Sequence, residues 1–391
     1  MPTTIPFILL YCLFAVFFLQ ILYYLIIIAP ATYRAGKNTY RKGDKHTDSQ
    51  TDSDSKLTET KGVSVIVCAR NEGENLTNYL HSLLEQDYPC FEVIVVNDQS
   101  EDDTRGILER MHLQYKNMRV SFVPQHAQLR SSKKLAITIG VKAAQYDYIL
   151  LTDADCRPES KHWIKEIMSA FDNPKTEVVL GYGAYFVNRT TINTIIQYDT
   201  LFNALQYMGF AGIGCPYMGV GRNLAYKKQT FFDNEGFKGL LANRAGDDDL
   251  FVQKVANGKN TKTIMSKDSI TWSVPCKSFF EWEHQKERHL SVSAYYTAKS
   301  RFLLGLEPAT RGLFYALLIA TAYFGDIFIW TVIATLFLTR WLLQIILLNV
   351  AAKRVDSKWF FFSILLLDIF LPVNNLWLLL KHKFRRRSIE W

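Results

Sequence analysis

Residues 150–160 read LLTDADCRPES, in which an apolar run from Tyr148 to Leu151 is followed by Asp153 and Asp155. Carboxylates this close raise each other's pKa unless a cation compensates them. The spacing leaves two readings open. One is a turn closed by Asx hydrogen bonds before a helix beginning near Pro158. The other is a pair of ligands for a hard divalent cation, Mg²⁺ or Mn²⁺, which takes one or two carboxylates together with phosphate oxygens of a substrate.

The elements that position these residues follow from periodicity. VSVIVCA and FEVIVVND are strand-like runs, separated by a helical pattern with Leu76, Leu80, Leu83 and Leu84 on one face. The alternation continues through a helix around 131–145, the strand YILLTD, a helix over 159–171 and a strand over 177–186. This is an α/β pattern, a mostly parallel sheet with helices on both faces. Such sheets bind ligands outside the carboxyl ends of their strands. There the sequence sets CARNEGEN after the first strand, VVNDQSED after the second and LTDADCRP after a later one. Asp98, before Gln-Ser, also suits a turn or a helix cap. In AGDDDLFVQKV the acids fit the first turn of a helix, where they complement its dipole. The stretch 278–302 reads as amphipathic and contains QKERH. GIGCPYMGVGRNLAY lacks the strand-to-helix context of a phosphate-binding glycine motif.

The 391 residues are 49% hydrophobic, and the excess is concentrated at the two ends. Residues 5–29 carry no formal charge and are long enough to cross a hydrocarbon layer of ~30 Å. Their length and flanks favour a retained anchor over a cleaved signal peptide. Residues 30–61 hold a basic juxtamembrane stretch (Arg34, Lys37, Arg41, Lys42, Lys45) and a polar linker, and the α/β domain occupies 62–303. Residues 311–350 predict two membrane helices broken at YFGD, followed by a further membrane segment over 359–380 and a basic tail over 381–391. The net charge of +8 therefore reports membrane topology more than nucleic-acid binding. Lys353, Arg354 and Lys358 precede the last segment and Lys381, Lys383 and Arg385–Arg387 follow it, so both flanks favour the cytoplasm. A re-entrant or interfacial hairpin broken at Pro372 satisfies both; an unbroken crossing is the alternative. Arg340, inside the second predicted span, is read as snorkelling or as marking a shifted helix boundary. The six cysteines show no C-x-x-C pair and are expected to be reduced and structural.

The order VIVCARNEGENL, VIVVNDQSED, YILLTDADC, GDDDLF and QKERH resembles the family 2 glycosyltransferases of GT-A fold, over about residues 62–300. Within that family the chain is similar to the membrane-anchored glycan synthases that carry Q-x-x-R-W and to the lipid glycosyltransferases. The resemblance implies that Arg70, Asn71, Glu72 and Asp98 bind the base and ribose of a nucleotide, and that Asp153 and Asp155 bind a metal and the diphosphate. It places a donor-site lysine at Lys134, with Lys133 as the competing choice. The general base falls at Asp247, or at Asp248 because Gly246 stands where the family usually has an acid. Arg288 and Gln285 match the Q-x-x-R-W motif, but His289 replaces its tryptophan and alters acceptor recognition. Gly221, Arg222 and Asn223 are implied to lie near the donor sugar. The implied function is an inverting, metal-dependent transfer from a nucleotide-diphosphate sugar, foremost a UDP-sugar. Because both ends of the domain are tied to the bilayer, a lipid or lipid-linked glycan is the expected acceptor, at the cytoplasmic face of a bacterial inner membrane. A processive polysaccharide synthase and a non-catalytic nucleotide-sugar-binding scaffold are the alternatives.

Overall fold

The computed structural model describes residues 4–37, 61–124, 132–241 and 245–389. Arg41, Lys42, Lys45 and nearly all of the polar linker lie outside them. The chain forms two compact units, a sheet unit (Gly36–Ala184 and Met218–Val274) and a helical unit (the N-terminal segment to Ala35, Tyr185–Tyr217, and Pro275 onward).

In chain order, an apolar helix α1 (Thr4–Tyr23) leads through a π-helical turn (Tyr24–Ile28) into α2 (Ala29–Arg34). The wider turn accommodates Pro30, so the rod extends past the expected boundary at Ala29. The sheet unit then alternates β1 (Val63–Ala69), α3 (Gly73–Leu84), β2 (Phe91–Asn97), α4 (Thr104–Gln114), β3 (Met118–Phe122), α5 (Ser132–Ala143) and β4 (Tyr148–Asp153). There follow β5 (Cys156–Pro158), α6 (Trp163–Ser169), β6 (Val178–Leu180) and β7 (Gly183–Tyr185). After α7 (Thr191–Gly212), which belongs to the helical unit, come β8 (Leu224–Lys227), α8 (Lys228–Asp233), α9 (Asp249–Val255), β9 (Thr261–Thr263) and β10 (Thr271–Ser273).

Alternation along β1 explains its unbroken apolar character. Val63, Val65, Val67 and Ala69 join Leu76, Leu80, Leu83 and Leu84 of α3 and Trp163 of α6 in one core. Ile66 faces the other way, toward α5, where Gly140 permits close approach: a Cβ there would stand 2.5 Å from Ile66 Cγ2. Both faces of the strand are thus covered. The large sheet has the order β3-β2-β1-β4-β8-β6-β9, with β1 to β4 parallel and β8 antiparallel to both its neighbours. Register sets Cys68 beside both Val96 and Asp153, so the first three polar strand ends share one edge.

Two expectations shift here. The strand expected over 177–186 divides at Gly181 and Tyr182, because the chain passes from the large sheet into a small one of order β5-β10-β7. The helix expected from 159 starts at Trp163, since Cys156–Pro158 is taken up in pairing with β10.

The helical unit contains α7, α10 (Phe279–Val292), α11 (Ala298–Tyr323), α12 (Ile327–Arg354) and α13 (Phe362–Ile389). Among the described residues, four stretches are long and apolar enough to cross a membrane: Phe7–Arg34, Ala298–Tyr323, Ile327–Arg354 and Phe362–Lys381. The break expected at YFGD falls between α11 and α12, where Asp326 caps α12 by accepting from the Ile329 N–H (2.9 Å).

The hairpin at Pro372 is not formed; α13 runs unbroken through it. Proline cannot donate to the carbonyl four residues back. That carbonyl belongs to Asp368, and the Arg311 guanidinium donates to it instead (3.2 Å). Arg340 likewise departs from expectation. It does not snorkel but lies 2% exposed, pairing with Asp368 (2.7 Å) and donating to Gln20 Oε1 (3.1 and 3.2 Å).

Candidate functional site

Within the sheet unit, the loops after β1 and β2 are tied into one platform. Asn71 and Gln99 adopt positive φ (56° and 54°), a region Asn tolerates better than most residues. The Asn71 N–H donates to Ser100 Oγ (2.9 Å), and Asn71 Oδ1 accepts from the Glu101 N–H (2.7 Å). The Glu72 and Gly73 N–H groups donate to Thr104 Oγ1 and Asp102 Oδ2, both at 3.0 Å. Arg70 and Asn71 are exposed, and Glu72 is half-buried with its carboxylate accepting from Asn75 (2.6 Å). Asp98 is 5% exposed, yet among the described residues its carboxylate has no hydrogen-bond partner. A buried acceptor left open in this way is suited to a donor on a ligand.

Acids gather beyond β4 and before α9. Lys133 Nζ donates to Asp153 Oδ1 (2.9 Å) and stands 3.4 Å from Asp247 Oδ2, so one cation bridges two carboxylates. Burial disfavours the charge on Lys133, but Asp153 and Asp247 outweigh it and raise its pKa well above the usual lysine value. Burial likewise works against ionised Asp247, and Lys133 reverses this, holding its pKa below the usual carboxylate range. Asp155 rises through burial and the charge of Asp153, while Ser273 Oγ donates to Asp155 Oδ2. Glu72 also rises, through burial first and then through Asp155 and Asp153.

The geometry separates Asp247 from Asp248. Both oxygens of Asp248 accept backbone N–H groups, from Gly221 (2.8 Å) and Asp249 (2.9 Å), so it caps α9. Burial and the Asp247 charge push it up to about 6. The two lysines separate as well, because consecutive residues on α5 point about 100° apart. Lys133 enters the acid cluster, whereas Lys134 is fully buried and donates to the Ala245 carbonyl (2.7 Å). Of the trio 221–223, Gly221 supplies its N–H to Asp248, and Arg222 acts electrostatically on Asp155. Asn223 is fully buried and serves the core, donating to the Tyr182 (2.9 Å) and Ser269 (2.7 Å) carbonyls.

Gln285 and Arg288 belong to the helical unit. The Gln285 amide is engaged at both ends, donating to Tyr185 Oη (3.1 Å) and accepting from Cys276 Sγ (3.4 Å). The Arg288 guanidinium is exposed and has no hydrogen-bond or ion-pair partner among the described residues. His289 is exposed on the same helix.

A divalent cation fits the chemistry of this edge. Asp153 and Asp155 offer hard oxygen atoms where burial, and then neighbouring negative charge, already raises Asp155 and Glu72. Among the described residues no three His, Cys, Asp or Glu side chains form a complete metal cage. A cation would therefore complete its shell with ligand phosphate or water, as Mg²⁺ commonly does. Ser273 was not foreseen, since it lies 118 positions from Asp155 and only the pairing of β5 with β10 unites them.

A mixed, mostly parallel sheet with this polar edge defines the GT-A class of fold. The mannosyltransferase PcManGT from Pyrobaculum calidifontis, solved with GDP-Man and Mn²⁺, aligns at a TM-score of 0.53 over 91% of this chain and 99% of that one, with 18% identity. Residues 64–231 match the family described as Glycosyl transferase family 2, and the chain carries a domain of that family. Poly-β-1,6-N-acetyl-D-glucosamine synthase of Staphylococcus epidermidis is 31% identical over 123 residues, 32% of this chain and 29% of the relative. Its namesake in Staphylococcus aureus strain COL is 30% identical over 102 residues, 26% of this chain and 24% of that one. The matched stretch thus spans less than a third of these relatives.

Proposed function

We propose that the protein transfers a sugar, with inversion, from a nucleotide-diphosphate donor to a lipid or lipid-linked glycan at the cytoplasmic face of a bacterial inner membrane. The observation that carries this reading is the Asp153–Lys133–Asp247 bridge, which sets a candidate metal ligand and a candidate base on one cation at the sheet edge. A UDP-sugar is the preferred donor. Asp98, Arg70, Asn71 and Glu72 bind its base and ribose, and Asp153 and Asp155 hold Mg²⁺ or Mn²⁺. When bound, that ion supplies positive charge against the leaving diphosphate. Asp247, kept ionised by Lys133, takes the proton of an acceptor hydroxyl as its oxygen bonds to the anomeric carbon and the bond from that carbon to the diphosphate oxygen breaks. One such displacement inverts the anomeric configuration. Arg288 is the proposed cation for the diphosphate, suited by a guanidinium with no partner among the described residues. Gln285 is assigned to holding α10 in place for it.

Asp247→Asn is expected to lower transfer by about a thousandfold, within the range of lost acid–base catalysis, while leaving nucleotide-diphosphate binding within a few-fold. Normal transfer by Asp247→Asn with loss in Asp248→Asn would move the base to Asp248; normal transfer by both would remove the mechanism.

A processive polysaccharide synthase is the second reading, favoured by the names of the staphylococcal relatives. Product length after incubation with a nucleotide sugar discriminates: one added residue supports single transfer, a ladder supports the synthase. A scaffold that binds nucleotide sugar without turnover leaves Asp247 no task.

A further inference from the structure

Two consecutive lysines in the first turn of α5 take different partners. Lys133 meets the carboxylates of Asp153 and Asp247. Lys134 is 0% exposed, and its ammonium donates to the Ala245 carbonyl (2.7 Å). Burying an ammonium costs desolvation that an apolar side chain in the same place avoids, so a buried lysine persists for the bond that it makes. A charged donor also makes that bond stronger than a neutral one would.

What the bond holds is the backbone just before Asp247. Gly246, buried between Ala245 and Asp247, has a φ of 82°, a left-handed conformation that a Cβ strains. On the other side of Asp247, the Asp248 carboxylate accepts the Gly221 (2.8 Å) and Asp249 (2.9 Å) N–H groups. The chain is thus fixed on both sides of Asp247, whose own carboxylate is left to reach Lys133 (3.4 Å). A Cβ at Gly221 would stand 3.7 Å from both Asp247 Oδ2 and Lys133 Nζ and 3.5 Å from Asp248 Oδ2, so these groups converge on one point. Close packing of Gly140 on Ile66 seats α5 against the sheet. One turn of a firmly packed helix therefore grips the segment 245–247 twice, by its main chain and by its acid.

We propose that Lys134 is a positioning residue: from the first turn of α5 it holds the Ala245 carbonyl, sets the Gly246 turn and so aims the Asp247 carboxylate at the acceptor hydroxyl. This role rests on the reading of Asp247 as the base. Lys134 acts through the main chain and has no need to touch the donor. A misplacement of about 1 Å can cost about a hundredfold in rate, so one hydrogen bond away from the reacting atoms is enough to matter.

Kinetics of the full-length protein in its own membranes test this, read as UDP released from the UDP-sugar that the parent turns over. Lys134→Met keeps an unbranched stem and removes the donor; it should lower kcat by about a hundredfold. KM for the UDP-sugar, and the affinity of the detergent-solubilised protein for UDP with Mn²⁺, should stay within a few-fold of the parent's. In the Asp247→Asn background the same substitution should add no further loss, because a residue that acts through Asp247 then has nothing to position. Gly246→Ala should reproduce the loss in kcat, and Gly246→Asn, which tolerates positive φ, should recover most of it. Parental kcat in Lys134→Met, a loss confined to KM or to UDP affinity, or full additivity with Asp247→Asn would each overturn the inference. Should Lys134→Met not fold, the Gly246 pair decides: Gly246→Ala as active as the parent, or Gly246→Asn no better than Gly246→Ala, overturns it. Normal transfer by Asp247→Asn is a separate outcome, which removes the base assignment itself and the role of Lys134 with it.

Discussion

Lys133 and Ser273 show how single side chains set the state of the acids around them. Ser273 is 2% exposed, and its hydroxyl donates to Oδ2 of Asp155, the proposed metal ligand, while Cys156 Sγ donates to Oδ1 (3.5 Å). Partners of a metal ligand typically change affinity by about 10–100-fold when removed. Ser273→Ala should therefore weaken Mn²⁺ binding in the presence of UDP by about tenfold, with Ser273→Thr restoring it. Titration of the Mn²⁺ electron paramagnetic resonance signal checks this, and equal affinities for Ser273→Ala and the parent would refute it. Lys133→Ala removes the cation that holds Asp247 ionised, so the acidic limb of the transfer pH profile should move to higher pH. An unmoved limb would separate Lys133 from the base.

At the scale of elements, two contacts hold the helical unit together. Gly209 lets α7 meet the π-turn: a Cβ at this position would stand 2.2 Å from the Ile27 carbonyl oxygen, a backbone atom that cannot swing away. Gly209→Ala should lower the thermal midpoint in detergent, although alanine is the better helix former. A midpoint equal to or above the parent's would show that the helices can separate at no cost. Deeper in the unit, Glu307, Arg311, Arg340 and Asp368 form a charge-balanced group joining α11, α12 and α13, with Gln20 adding α1. Truncating one partner of a buried pair typically costs about 3–5 kcal/mol. Asp368→Ala strips a counter-charge from both arginines and should destabilise the unit by that order, measured by chemical unfolding in detergent.

Across the whole molecule, protonation couples to folding and to ligand. Asp248 titrates at about 6, above the ordinary Asp value of 3.8, and Asp155 is also raised. An acid whose folded pKa is raised favours the folded state at pH below its unfolded value. That contribution disappears as pH rises through the folded pKa. Without a divalent ion, Asp248 should make stability fall between about pH 4 and 6. Mn²⁺ with UDP favours the ionised carboxylates, so binding should release protons, more at pH 6 than at pH 8. Calorimetry in buffers of different ionisation enthalpy measures the release; none at pH 6 would contradict the assignment.

Strand periodicity, the polar residues ending β1, β2 and β4, and the apolar stretches could all be read from sequence because each depends on neighbours a few residues apart. The same locality made Asp247 and Asp248, or Lys133 and Lys134, indistinguishable. Backbone N–H groups of Gly221 and Asp249 turned Asp248 into a cap, and the rotation of α5 sent one lysine to the acids and the other to the Ala245 carbonyl. Arg340 and Pro372 needed partners far along the chain, in Gln20, Asp368 and Arg311, to become tolerable where they stand. By itself the sequence determined which segments are apolar and which strand ends carry acids, since both follow from residue type and period. Only tertiary structure decided which charge meets which, because an ion pair depends on distances through space.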